Sequence, residues 1–88
     1  MESEHAVTVK VLFFAQSKEL AGTREATIQV PTRISYKELL NIITETYNLQ
    51  PLRNNILLAK NEEVCEQSVE LEIKQEDRIA VIPPLSGG

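Results

Sequence analysis

The sequence predicts an α+β fold: a mixed sheet with one main helix packed on one face, and with its first and last strands parallel and adjacent at the centre. Three observations predict it. Apolar residues alternate with period two from Val7 and again from Ala26. A helix with an explicit start signal follows at Ser35. Ile79-Ala80-Val81-Ile82 is continuously apolar, the pattern of a strand covered on both faces in the middle of a sheet. With 88 residues there is room for one small domain and no second core.

The first strand runs Val7–Phe14. Val7, Val9, Val11 and Phe13 line one apolar face. The other face begins polar with Thr8 and Lys10 and turns apolar at Leu12 and Phe14, so part of it is expected to be covered by another protein. Ala26, Ile28 and Val30 alternate with Thr27 and Gln29 in a second strand that Pro31 ends. The short link from Gln16 to Thr23, with Gly22 available for a positive φ, predicts an antiparallel hairpin with an irregular loop. Ser35 as N-cap and Glu38 three residues later form a capping box, and Ile34 can staple onto Leu39. Tyr36, Leu39, Leu40, Ile43 and Tyr47 recur at helical steps, so the spacing predicts one helix near Tyr36–Tyr47. Asn48 can end it and Pro51 stops any continuation.

Ile56-Leu57-Leu58-Ala59 reads as a short strand, followed by a polar turn at Lys60-Asn61-Glu62 and an edge segment at Val64. Val69, Leu71 and Ile73 alternate with Glu70, Glu72 and Lys74. A turn at Gln75-Glu76-Asp77 leads into the last strand. Strand, strand, helix, strand, edge segment, strand gives two hairpins and one crossing helix, the β-grasp arrangement. The expected division is a flexible N-terminal stub (1–6), a β-grasp domain (7–82) and a protruding C-terminal tail (83–88).

Composition narrows the function classes. The chain is 42% hydrophobic and 25% charged, with aromatics at only 5%, so the core must be mostly aliphatic. Net charge is −4, and seven of the thirteen acids lie between Glu62 and Asp77. No basic stripe with interleaved aromatics exists, which excludes nucleic acid as the expected partner. No His/Cys spacing suits a metal, and no phosphate-cradling glycine loop or Ser-His-Asp set is present. No apolar run of membrane-spanning length and no leader pattern is seen, so a cytosolic protein is expected. Cys65 is the single cysteine, and Glu62, Glu63 and Glu66 around it disfavour a thiolate. His5 is the single histidine and lies in the polar stub.

The tail is the informative segment. The chain has three glycines, and two of them are Gly87 and Gly88. At a glycine usage of about 7%, chance places such a pair at a given end in roughly 0.5% of chains. Pro83 and Pro84 fix φ and lack N–H groups, so the base of the tail cannot join a helix or pair normally in a sheet. From Pro83 to Gly88 an extended stalk reaches about 19 Å at ~3.1 Å per residue. Its tip, with no side chain beyond Ser86, is slim enough for a narrow channel. By elimination the terminal carboxylate is the reactive group. It is a poor acyl acceptor until activated, most simply as an acyl-adenylate made by a partner with ATP. Sulfur displacement of AMP then gives a thiocarboxylate and a sulfur carrier; an amine or cysteine gives an amide or thioester and a protein modifier.

Lys10-Val11-Leu12-Phe13-Phe14-Ala15-Gln16, with Lys18-Glu19-Leu20-Ala21-Gly22, resembles the opening of the small subunits of molybdopterin synthase, the MoaD-type, ubiquitin-like sulfur carriers. Asp77-Arg78-Ile79-Ala80-Val81-Ile82-Pro83-Pro84-Leu85-Ser86-Gly87-Gly88 resembles their ending. The chain departs from that pattern in having Glu76-Asp77 for a Gly-Asp turn, Lys18 for an arginine, and Leu85 for a β-branched residue.

The resemblance implies a β-grasp fold and a subunit that is not catalytic alone. Gly88 is adenylated and then thiocarboxylated by a ubiquitin-activating-like adenylyltransferase/sulfurtransferase, and Gly87 supplies the slim penultimate position. The tail enters a MoaE-type large subunit in a heterotetramer. There it gives sulfur to cyclic pyranopterin monophosphate, forming the dithiolene of molybdopterin. No cofactor is held permanently; ATP is used by the activating partner. Phe14, Ile82, Pro83, Pro84, Leu85 and Ser86 are the expected partner-binding residues. Alternatives are a related carrier serving thiamin or tRNA thiolation, a conjugated modifier, or a binding module with an inert tail.

Overall fold

The computed structural model describes residues 6–68 and 70–83. Its strands and helices are β1 (Ala6–Phe13), α1 (Ala15–Ala21), β2 (Glu25–Pro31), β3 (Arg33–Ser35), α2 (Tyr36–Thr46), β4 (Leu57–Lys60), β5 (Glu63–Val64), β6 (Glu70–Glu72) and β7 (Arg78–Ile82), with a 3-10 helix at Gln50–Asn55 before β4. Five strands form one sheet in the order β2-β1-β7-β4-β5, and β3 pairs with β6 in a separate two-stranded sheet. β1 and β7 are parallel neighbours, with Lys10 opposite Arg78 and Phe13 opposite Val81. β2 and β4 flank them in antiparallel pairing. The predicted β-grasp topology is therefore the observed one, with the last strand at the sheet centre.

The core lies between one sheet face and α2. From the sheet come Val9, Val11, Phe13, Val30, Leu58, Ile79 and Val81; from α2 come Tyr36, Leu39 and Ile43. Phe13 meets Tyr47 edge to face, with ring centroids 4.9 Å apart and planes at 64°. Tyr36 reaches across to accept a 3.1 Å hydrogen bond from the Leu58 backbone N–H, which satisfies a buried hydroxyl and ties α2 to β4. At the start of α2, the Ser35 hydroxyl accepts from the Glu38 N–H at 3.1 Å, as the capping pattern predicts. Ile34 and Leu39 are both buried, as a staple requires.

Four features differ from the sequence-based expectation. The link after β1 is not an irregular loop. It is the seven-residue helix α1, ended by Gly22 at φ +80° with its N–H bonded to the Lys18 carbonyl. The chain thus has two α-helices among the described residues, α2 being the main one. Ala6, assigned above to the stub, opens β1 opposite Pro31. Ile34 belongs to β3, and Leu71 of β6 faces it in that small sheet instead of joining the main one; Val69 lies outside the described residues. Finally, β7 is covered on one face only. Ile79 and Val81 are fully buried, while Ala80 and Ile82 on the opposite face are half-exposed.

Two turns next to β4 and β7 are among the places where non-glycine residues take positive φ. Asn61 (+52°) and Glu62 (+75°) form the two-residue connection between β4 and β5, the paired left-handed geometry that matches strand twist. Glu76 (+74°) occupies the turn before β7. The Glu76-Asp77 departure noted above therefore sets a side chain at a backbone geometry that glycine adopts without strain.

Candidate functional site

Directly opposed residues on neighbouring strands share a sheet face. Leu12 faces Ala80, Ala80 faces Ala59, and Ala59 faces Val64; Leu57 faces Ile82. All six lie on the face turned away from α2. Phe14 follows immediately after β1 and lines the same surface: a depression of about 370 Å³ bounded by Leu12, Phe14, Asn61, Glu62, Arg78 and Ala80. Phe14 is 47% exposed, Leu57 42% and Val64 60%. The result is an open apolar face with a polar rim, the arrangement that marks docking surfaces.

This face lies beside the root of the tail. β7 is bonded on both sides, so its direction is fixed by two ladders. Phe13 and Val81 form the last rung between β1 and β7. One step further, Phe14 and Ile82 end up at neighbouring strand ends. Pro83, half-buried, follows Ile82 and has no N–H to extend the ladder. The structure thus brings Phe14, Ile82 and Pro83 together. Pro84, Leu85, Ser86, Gly87 and Gly88 lie outside the described residues. Leu57, Val64 and Ala80 belong to the same face and were not singled out from sequence. The signal for Leu57 and Ala80 was the lack of alternation in Ile56–Ala59 and Ile79–Ile82, which leaves apolar residues on both faces; Val64 joins the face only through its pairing with Ala59.

The turn before β7 is held by Asp77, which is 9% exposed. Its carboxylate accepts from Asn61 Nδ2 at 2.9 Å and from the Lys74 N–H at 2.8 Å, with Lys60 Nζ 4.0 Å away. Burial alone would push this carboxyl up. The hydrogen bonds from Asn61 and Lys74, with the charges of Lys60 and Lys74, outweigh it and hold the group below its ordinary value. Asn61 in turn accepts from the Arg78 N–H at 3.0 Å. One network therefore fastens the β4–β5 turn to the first residue of the tail-bearing strand.

Cys65 is not part of this site. It is 8% exposed, and burial pushes its thiol above the ordinary value against the opposing pull of Lys60. The expected direction holds, but its cause is burial and not the acidic neighbours. Among the described residues no group of three or more His, Cys, Asp or Glu is placed to hold a metal ion. Among the described residues no helix is long and apolar enough to cross a membrane. His5 lies outside the described residues.

The ThiS family profile matches residues 11–88. Over its full length the chain is 46% identical to the molybdopterin synthase sulfur carrier subunit of Anopheles gambiae, which it also covers completely. Among solved structures, the small archaeal modifier protein 1 of Methanosarcina acetivorans is similar with a TM-score of 0.74 and 25% identity, covering 96% of this chain and 99% of that one. A chain from the Helicobacter pylori complex of subunits 1 and 2 of molybdopterin-converting factor superposes with a TM-score of 0.65 at 24% identity, covering 93% and 100%.

Proposed function

The chain belongs to the ThiS family, and from that premise we propose that it is the sulfur-carrier subunit of a molybdopterin synthase, with Gly88 as the carrier position. The observation that carries this reading is the placement of β7. A centrally bonded strand ends at Ile82-Pro83 beside an open apolar face, so whatever covers that face meets the root of the tail in a fixed orientation. The name of the Anopheles gambiae relative supports the sulfur-carrier role. The Helicobacter pylori complex supports a second subunit as the occupant of the face.

In this mechanism the chain's own residues supply position, not acid or base. An adenylyltransferase joins the Gly88 carboxylate to the AMP moiety of ATP and releases pyrophosphate. A sulfur nucleophile then attacks the acyl carbon and expels AMP, leaving the thiocarboxylate. The large subunit docks on Phe14, Leu57 and Ile82, and the tail from Pro83 through Leu85 and Ser86 enters it, with Gly87 filling the narrowest part. There the Gly88 sulfur bonds to a pterin side-chain carbon and displaces an oxygen substituent, and water then cleaves the acyl–sulfur bond, so that the sulfur stays on the pterin and Gly88 returns to the carboxylate. A dithiolene needs two sulfurs, so two charged carriers are used per product. This division of labour fits a small domain and a cytosolic location.

Intact-mass analysis tests the reading. After incubation with the activating enzyme, ATP and a sulfur source, the mass should rise by the difference between one sulfur and one oxygen. Deleting Gly88 should abolish the rise and leave the fold intact. Sulfur uptake by the truncated chain would refute the terminal mechanism. The likeness to an archaeal modifier favours one second reading, transfer of the activated glycine to lysine amines. That reading predicts higher-mass conjugates resistant to thiols in place of a free thiocarboxylate.

A further inference from the structure

Phe13 and Phe14 are consecutive, yet one is 2% and the other 47% exposed. Strand alternation explains the opposite directions, but β1 ends at Phe13, so no sheet ladder restrains Phe14 beyond that point. Ser17 supplies the restraint. It is fully buried on a short helix whose other residues are exposed or half-exposed. Its hydroxyl accepts from the Phe14 N–H at 3.0 Å and donates to the Phe14 carbonyl at 2.6 Å. The Val81 carbonyl lies 3.5 Å from the same oxygen. The Ser17 N–H also donates to the Phe14 carbonyl at 3.1 Å. Both polar groups of the Phe14 peptide backbone are thus gripped by one residue, which sits against the tail-bearing strand next to Ile82. On the other side, Ala15 is held at φ +54°, a left-handed geometry that alanine disfavours.

We propose that Ser17 is a positioning residue for partner docking: it locks the Phe14 backbone to β7, so that the Phe14 ring stays on the open face in fixed register with the root of the tail. The strained Ala15 fits this role, because strain of this kind persists only where surrounding bonds hold the backbone in place. A hydroxyl is the chemistry required, since it must donate and accept at once in a fully buried position. The inference rests on the reading of this face as the large-subunit docking surface.

The test is a double-mutant cycle between Ser17→Ala and Phe14→Ala. The readout is affinity for the cognate large subunit, with melting curves and Phe14 amide hydrogen exchange measured in parallel. Ser17→Ala should weaken binding about tenfold, the effect of losing one partly buried hydrogen-bond partner. It should also speed exchange of the Phe14 amide. In the Phe14→Ala background it should change affinity by less than about twofold, because its influence passes through the ring. Ser17→Cys fills the site with a somewhat larger side chain that is a weaker donor and acceptor, and reads the same quantity if the alanine variant does not fold. Unchanged affinity on replacing Ser17, with Phe14→Ala still weakening the complex, overturns the proposal and leaves the docking surface standing. An equal loss in both backgrounds also overturns it, since Ser17 would then act on the face without Phe14. Unchanged affinity for Phe14→Ala itself removes the docking surface and the proposal together.

Discussion

Replacing Phe14 by alanine separates a surface built for a partner from one built for the domain's own core. Phe14 is 47% exposed, so only about half of its side chain is removed from water in the free protein. Full burial of a phenylalanine is worth about 1.5–3 kcal/mol. Truncation should therefore cost roughly 1 kcal/mol, a drop in Tm of about 4–8 °C for a domain of this size. Phe13 is the internal control. It is 2% exposed and packs edge to face on Tyr47, so Phe13→Ala should cost about 3–5 kcal/mol. That is a large share of the roughly 4–13 kcal/mol that holds an 88-residue chain together. For binding the order reverses. A central aromatic anchor contributes about 2 kcal/mol or more, so Phe14→Ala should raise the Kd for the large subunit at least about 30-fold. Calorimetric titration of the large subunit, with thermal melts of the same samples, measures both quantities. A Phe14→Ala melting loss equal to that of Phe13→Ala, or an unchanged Kd, would refute the assignment of this ring to an interface.

Three further outcomes are expected. Cys65→Ser should leave sulfur transfer at the wild-type rate, because burial keeps the thiol protonated; the hydroxyl in this 8%-exposed position should lower stability by about 1–3 kcal/mol, read by urea titration. Asp77 is more acidic in the folded chain than its ordinary value of 3.8. Its contribution is therefore fully present above that value and is lost as pH falls through the lowered folded value. The stability gap between wild type and Asp77→Asn should be constant near neutrality and close in acid; a gap that widens in acid would contradict the network. Glu76→Gly should raise stability by about 0.5–1 kcal/mol, the relief of a left-handed residue less the added unfolded-state entropy of glycine, and a melting curve decides the sign.

How much was legible depends on the range of the interaction. The alternation of β1 and the Ser35 cap of α2 are local signals, and both gave the observed elements. The central place of β7 matched its lack of alternation, although its second face is open and not covered within the domain. α1 was missed for a physical reason. Ala15–Ala21 has good helix formers, but only Ser17 is buried, so no apolar stripe marks it. Its first turn is closed from inside by Ser17 and not by a cap residue ahead of it. The β3–β6 sheet joins two three-residue segments far apart in sequence, and no periodicity is readable over so few residues. α2 ends before Pro51, as expected, but no sequence signal marks the 3-10 helix Gln50–Asn55, in whose first turn the missing N–H of Pro51 is harmless. The docking face was legible in part: Leu12 and Phe14 broke the polar pattern of their strand face, but the contributions of Leu57 and Val64 depended on register.

The parallel pairing of β1 with β7 has a consequence for when the protein becomes usable. These strands are separated by most of the chain, and the cost of closing that loop must be met before their contacts form. During synthesis β2, α2 and β4 can appear in order, but the middle of the sheet stays empty until β7 has left the ribosome and slots between β1 and β4. The strand that closes the fold is also the one that carries the tail. A chain arrested or misfolded earlier offers neither the row Leu12–Ala80–Ala59 nor a fixed exit at Pro83. Completion of folding thus sets when the two features coexist: the apolar face and the exit at Pro83 are present together only on a finished domain. Proteolysis or partial unfolding that frees β7 withdraws both together, because one strand carries the middle of the face and the root of the tail.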